Sequence, residues 1–233
     1  MKKILLFVGV STLLFACKTQ RSVTSKTPDN IKTIKYLALG DSYTVGESVC
    51  EGCSFPLLLM KKLASDENIK VGAQVIAETG WTTSDLIQGI QKKAPGEDQD
   101  MVTLMIGVNN QYQGKDFSLF EEDFTTLLAK AIQLAGGDRS KVFVISIPDY
   151  AYTPFGQERP SPLKISVEID QYNAFVKKTA LHNGVSYINI TDITREGLNN
   201  PSLVASDRLH PSKTAYSSFV SQILFEIRKK RLF

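Results

Sequence analysis

"YLALGDSYTVGESV", residues 36–49, runs from an alternating apolar stretch straight into Gly40-Asp41-Ser42. No loop separates the two, so a strand ends and a serine follows at once. A second glycine, Gly46, comes four residues after the serine. The serine can be a plain helix cap, a common position for this residue type, or a reactive hydroxyl held at the rim of a sheet. What the rest of the chain supplies decides between them.

Working outward, short β-rich runs alternate with longer amphipathic ones. Strands are expected at 34–39, 73–77, 101–106, 142–147 and 186–190. Between them the 3.6-residue period predicts helices at 55–65, at 84–92 with a Ser and Asp start, at 118–134 and at 165–181, with a last helix at 212–230. Gly136-Gly137 and Asn183-Gly184 stand where two of these helices stop. Strand and helix taking turns predicts a parallel sheet covered on both faces, a three-layer α/β/α sandwich with five parallel strands. In such sheets ligands bind beyond the carboxyl ends of the strands, which directs attention to the residues there.

The chain has 233 residues, 42% of them hydrophobic, enough for one sizeable core. Residues 1–16 are set apart: Lys2 and Lys3 precede an apolar run, 4–15, too short for the roughly 20 residues that span a bilayer. This reads as an export signal. The run ends in Leu14-Phe15-Ala16-Cys17, which resembles a bacterial lipobox, whose cysteine becomes the lipidated first residue of the mature protein. On that reading residues 17–32, polar and rich in Ser and Thr, tether a domain at 33–233 to a membrane of the bacterial cell envelope. The formal net charge of +3 falls to +1 without Lys2 and Lys3, and Arg228 to Arg231 supply four positives at the end of the last helix. No basic face rich in aromatics suggests a nucleic-acid partner. Cys50 and Cys53 read as a disulfide in an exported protein, with the same spacing as a redox dithiol. Zinc would need further ligands, and His182 and His210 are the only histidines.

The expected strand ends carry Gly40-Asp41-Ser42, Glu78-Thr79-Gly80-Trp81, Gly107-Val108-Asn109-Asn110 and Pro148-Asp149-Tyr150, and Asp207-Arg208-Leu209-His210 precedes the last helix. Together they supply what ester hydrolysis needs. A serine hydroxyl is a weak nucleophile until an imidazole accepts its proton, and a carboxylate must fix that imidazole's tautomer. Asp207 and His210, three apart in one turn, can meet unaided. The backbone N–H groups of Ser42 and Gly80 and the amide of Asn109 are candidate oxyanion donors.

Here the sequence resembles the SGNH hydrolases, also called GDSL esterases and lipases, over nearly all of residues 34–230. Four ordered blocks carry the resemblance, holding in turn Ser42, Gly80, Asn109, and Asp207 with His210. The resemblance implies a flavodoxin-like α/β fold, Ser42 as nucleophile, Gly80 and Asn109 as oxyanion donors, Asp207 as acid and His210 as base. It implies no metal or organic cofactor. Tyr43 stands where the family's leucine would be, and Asn110 where the third block usually has Asp. The strained Gly-x-Ser-x-Gly elbow of another esterase fold is absent.

Bland alternatives stand beside these. Asp192 could be proposed as the acid but suits a turn cap, while Asp41 points away from its neighbour Ser42 and suits holding the loop. Trp81 can line a cleft or fill the core. Residues 150–162, "YAYTPFGQERPSP", read as a long proline-rich loop whose tyrosines, Phe155, Gln157, Glu158 and Arg159 could contact a sugar or an acyl chain. The expected partner is a small-molecule or carbohydrate ester. Acyl transfer, lysophospholipid or thioester cleavage use the same machinery, and a non-catalytic carbohydrate-binding surface protein is the rival from another class.

Overall fold

A computed structural model describes residues 32–67 and 69–233. The expected export signal, Cys17 and the tether up to residue 31 lie outside the described residues. In chain order the elements are β1 (Thr33–Gly40), α1 (Ser42–Val45), α2 (Phe55–Asp66), β2 (Lys70–Ala77), α3 (Thr83–Lys93), β3 (Met101–Met105), α4 (Val108–Tyr112), α5 (Phe117–Leu134), β4 (Val142–Ile145), α6 (Pro154–Gln157), α7 (Pro162–His182), β5 (Ser186–Ile188), α8 (Thr191–Arg195) and α9 (Lys213–Lys230).

The five strands form one sheet in the order β2-β1-β3-β4-β5, parallel throughout. This is the flavodoxin-like order, with its switch point between β1 and β3. β3 and β4 are buried along their whole length, and their unbroken apolar runs follow from being covered on both sides. α3, α5 and α7 pack in a row against the sheet, with Phe117, Phe120, Phe124, Tyr172 and Phe175 interlocked between α5 and α7. α2 and α9 pair separately, with Phe55, Tyr216 and Phe219 between them. The expected three-layer sandwich is the observed one.

The boundaries differ where side chains replace backbone partners. β4 stops at Ile145, two residues early, because the Ile147 N–H donates to Asn173 Oδ1 (2.7 Å) and its carbonyl accepts from Asn173 Nδ2 (3.0 Å). β5 stops at Ile188 because the Ile190 N–H turns to Ser146 Oγ (2.8 Å). The cap of α3 is Thr82, not Ser84: Thr82 and Asp85 form a reciprocal capping box. The stretch 150–162 is not a plain loop, since it holds a 3₁₀ turn at Tyr150–Tyr152 and all of α6 before α7 begins.

A largely buried ion pair ties Asp149, the residue before that excursion, to α8. Asp149 is fully buried; its carboxylate accepts from Arg195 Nε (3.0 Å), the Ser166 hydroxyl and the Ala151 N–H (3.0 Å). Arg195 also pairs with Asp170 (2.7 Å). Arg195→Met would strand the Asp149 charge in the interior. The expected loss is about 3–5 kcal/mol of stability, read from the midpoint of urea unfolding at unchanged slope.

Candidate active site

Ser42 is the first residue of α1, one residue beyond the end of β1, and is 4% exposed. The turn is tight enough that a Cβ on Gly40 would lie 2.0 Å from Thr44 Oγ1 and 2.5 Å from the Met105 carbonyl oxygen. Only glycine lets the strand meet the helix there. Asp41 caps α1, accepting from the Tyr43 N–H (3.1 Å), and so holds the turn that carries the serine.

Asp41 is a buried carboxyl, and burial pushes it up to about 7 against the opposing pull of the Tyr43 N–H. The folded chain therefore binds this proton more tightly than the unfolded chain does. The resulting stabilisation is complete below the unfolded value of 3.8 and is lost as pH rises through about 7. Asp41→Asn should flatten this fall. Relative to wild type it gains stability between about pH 4 and 8, by at most on the order of 4 kcal/mol, read as the difference in Tm between the two proteins at each pH.

His210 comes from a turn pinned on several sides. Ala205 N–H donates to the His210 carbonyl (2.7 Å), Phe155 N–H to the Arg208 carbonyl (3.0 Å), and Val204 bridges Pro211 just before Ser212 caps α9. The imidazole Nδ1 lies 2.6 Å from Asp207 Oδ2, and Nε2 lies 3.0 Å from Ser42 Oγ across 168 residues of sequence. Asp207 Oδ1 accepts from the Leu209 N–H (2.9 Å) and the His210 N–H (3.0 Å). Burial alone would push the Asp207 carboxyl up. Hydrogen bonds from the His210 ring, the Leu209 N–H, the Ser48 hydroxyl and the His210 N–H outweigh it and hold the group at about 2. An ionised carboxylate only accepts, so Nδ1 carries the imidazole proton and Nε2 presents its lone pair to the Ser42 hydroxyl.

Tyr43, in the place of the family's leucine, packs its ring against His210 with centroids 5.3 Å apart. The Cys50–Cys53 disulfide closes the loop between α1 and α2, the same loop that brings Ser48 to Asp207.

Gly80 lies between β2 and α3 with φ +87°, and a Cβ there would meet nothing within 4 Å. The conformation favours glycine, and the space beside it is open. Asn109 sits in the first turn of α4, where its Nδ2 donates to the Trp81 carbonyl (2.9 Å) and keeps a second N–H. Gln113, not singled out by the sequence reading, donates from Nε2 to the Gly80 carbonyl (3.0 Å). Two side chains from the α4 segment thus hold the Gly80-Trp81 backbone. Asn110 is buried and couples α4 to α3 through the Thr83 N–H (3.0 Å) and hydroxyl (2.8 Å), a task a neutral amide does as donor and acceptor at once.

The other candidates fall elsewhere. Asp192 accepts from Asn189 Nδ2 (2.7 Å), as a local turn would have it. His182 is exposed at the end of α7. Trp81 is partly buried against α3, over Gly89, where a Cβ would come within 2.4 Å of the indole.

Residues 38–217 match the model of the GDSL-like Lipase/Acylhydrolase family. No curated protein matches the chain. Among solved structures, a lipase/acylhydrolase from Enterococcus faecalis is 22% identical with a TM-score of 0.64, covering 84% of this chain and 96% of that one. An acetylxylan esterase from Geobacillus stearothermophilus is 20% identical with a TM-score of 0.64, over 84% and 95%. A lipase from a goat rumen metagenome is 20% identical with a TM-score of 0.65, over 83% and 97%. Likeness at such identities speaks to the fold.

Proposed function

The chain belongs to the GDSL-like lipase/acylhydrolase family, and from that premise we propose that it is a serine esterase working through an acyl-enzyme on Ser42. The observation that carries this is the continuous relay from Asp207 through His210 to Ser42, with links of 2.6 and 3.0 Å. In the first half-reaction Ser42 Oγ bonds to the carbonyl carbon while its proton passes to His210 Nε2 and the carbonyl electrons move onto oxygen. The ester C–O bond then breaks, and His210 returns the proton to the departing alcohol. Water repeats the sequence and releases the acid.

The developing oxyanion would be met by the N–H groups of Ser42 and Gly80 and the free N–H of Asn109, donors fixed in place before reaction. Asn109→Ala is expected to lower kcat by about 10²–10³ with little change in KM, measured on a p-nitrophenyl ester.

For substrate we favour O-acetyl esters of carbohydrate. The structural likeness to an acetylxylan esterase supports this class, as do the polar and charged side chains, Gln111, Lys115 and Arg159 among them, that line a cavity beside α4. Lipidation of Cys17, and with it attachment to the bacterial envelope, belongs to the same reading. The direct test is covalent labelling with a fluorophosphonate: one equivalent should appear on the peptide containing Ser42. A folded protein that takes no label, or takes it on another residue, would sink the proposal.

A further inference from the structure

A cavity of about 570 Å³ opens beside α4, lined among others by Gln111, Tyr112, Lys115, Tyr150, Arg159 and Lys164. It lies at the end of the helix whose first turn bears Asn109, so a group seated there is one short helix away from the proposed oxyanion donors. Tyr150 forms the shared wall, since its other side helps line the small space next to His210.

The lining has a definite chemical character. Three cations, Lys115, Arg159 and Lys164, face a single carboxylate, Glu168, which is already engaged by Gln111 Nε2 (2.7 Å) and by Lys164 (3.6 Å). Among the described residues Arg159 and Lys115 take part in no ion pair. The Arg159 guanidinium is held 5.4 Å from the ring centres of both Tyr112 and Phe155. This gives an ordered cation beside an aromatic surface, and Tyr112 is 47% exposed. Gln111 is oriented in turn by the Tyr150 hydroxyl, which donates to its Oε1 (2.9 Å).

A long acyl chain would leave these charges desolvated and unpaired, which is costly. A pyranose ring lying on tyrosine and bearing an oxyanion would pair them. We propose that this cavity is the subsite for the alcohol half of the ester and that it selects an anionic sugar, with Arg159 and Lys115 as the residues that read the charge. The inference rests on Ser42 being the nucleophile.

Methyl O-acetyl-galacturonate and methyl O-acetyl-galactoside share a ring and differ in one carboxylate, so they isolate the charge. The wild-type protein should favour the acidic ester in kcat/KM by about tenfold or more, and the preference should shrink as salt rises. Arg159→Gln and Lys115→Gln should each lower that ratio by about 5- to 10-fold, chiefly through KM for the acidic ester. Lys92→Gln, an exposed lysine on α3, should leave it unchanged. Galactose 6-sulfate and 6-phosphate, used as competitors, rank the oxyanions.

Equal kcat/KM for the two esters, or a ratio untouched by Arg159→Gln and Lys115→Gln, overturns the subsite. If p-nitrophenyl acetate is still cleaved in a Ser42-dependent way, the catalytic reading survives that result. If no ester is cleaved, calorimetric binding of methyl galacturonate against methyl galactoside to the intact protein decides the subsite by itself, and equal affinities overturn it.

Discussion

Ser42→Ala is expected to lower turnover of p-nitrophenyl acetate by about 10⁴-fold or more while leaving the melting temperature close to that of wild type. The large effect follows from what the substitution removes. On the proposed mechanism the other members of the relay work through this hydroxyl: His210 Nε2 faces the Ser42 oxygen at 3.0 Å, and Asp207 acts through the imidazole. The small effect on stability follows from the place of Ser42, which lies at the start of α1 where the cap is supplied by Asp41 and the α1 backbone bonds do not involve Oγ. Residual catalysis above the spontaneous rate is expected from the oxyanion donors alone, and it should show a KM different from that of wild type. A residual rate with wild-type KM signals contamination. Equal rates in Ser42→Ala and wild type would instead favour a carbohydrate-binding surface protein on an esterase fold.

The sheet was legible because its central strands are covered on both faces. Runs such as Met101–Met105 and Val142–Ile145 have no polar alternation to blur them. β2 was legible only from residue 73, because Lys70 and Gly72 sit on an edge strand and owe their extended state to pairing with Thr33 and Lys35 of β1. That information is not local. The site shows the same division. Ser42, Gly80, Asn109, Asp207 and His210 each stand at a junction where the backbone demands a cap, a turn or a left-handed residue, and such demands leave a mark in a few consecutive positions. Gln113 reaching the Gly80 carbonyl, Arg195 reaching Asp149 and Arg159 lying against Tyr112 are contacts of a side chain with a group 33, 46 and 47 residues away. No short-range pattern announces them, since any polar residue can stand on an exposed helix or loop position. Of the three, only Arg159 against Tyr112 lines the cavity beside α4, so the character of that cavity was less readable than the junctions that carry Ser42 and His210.

Asp207→Asn separates two tasks that one carboxylate performs. Oδ1 accepts from the Leu209 and His210 N–H groups and so shapes the turn, while Oδ2 accepts from the imidazole. Asparagine keeps an oxygen for the first task, so the turn and the position of His210 should persist. At the second position it can present an NH₂, which is a donor, and the imidazole must then offer Nδ1 as acceptor and carry its proton on Nε2. That tautomer points N–H at Ser42 and cannot take the serine proton. The expected fall in kcat is about 10⁴-fold, with a melting temperature near that of wild type. Asp207→Ala removes both tasks and should lower activity and melting temperature together, because the Leu209 and His210 N–H groups lose their acceptor. The wild-type carboxyl is held at about 2, so its stabilising contribution is present above 3.8 and is lost only as pH falls toward 2. Its titration therefore does not enter a rate profile recorded near neutrality. Should Asp207→Asn retain more than about a tenth of wild-type kcat, the carboxylate would be a turn residue only, and the imidazole would take its orientation from Tyr43, whose ring packs against it.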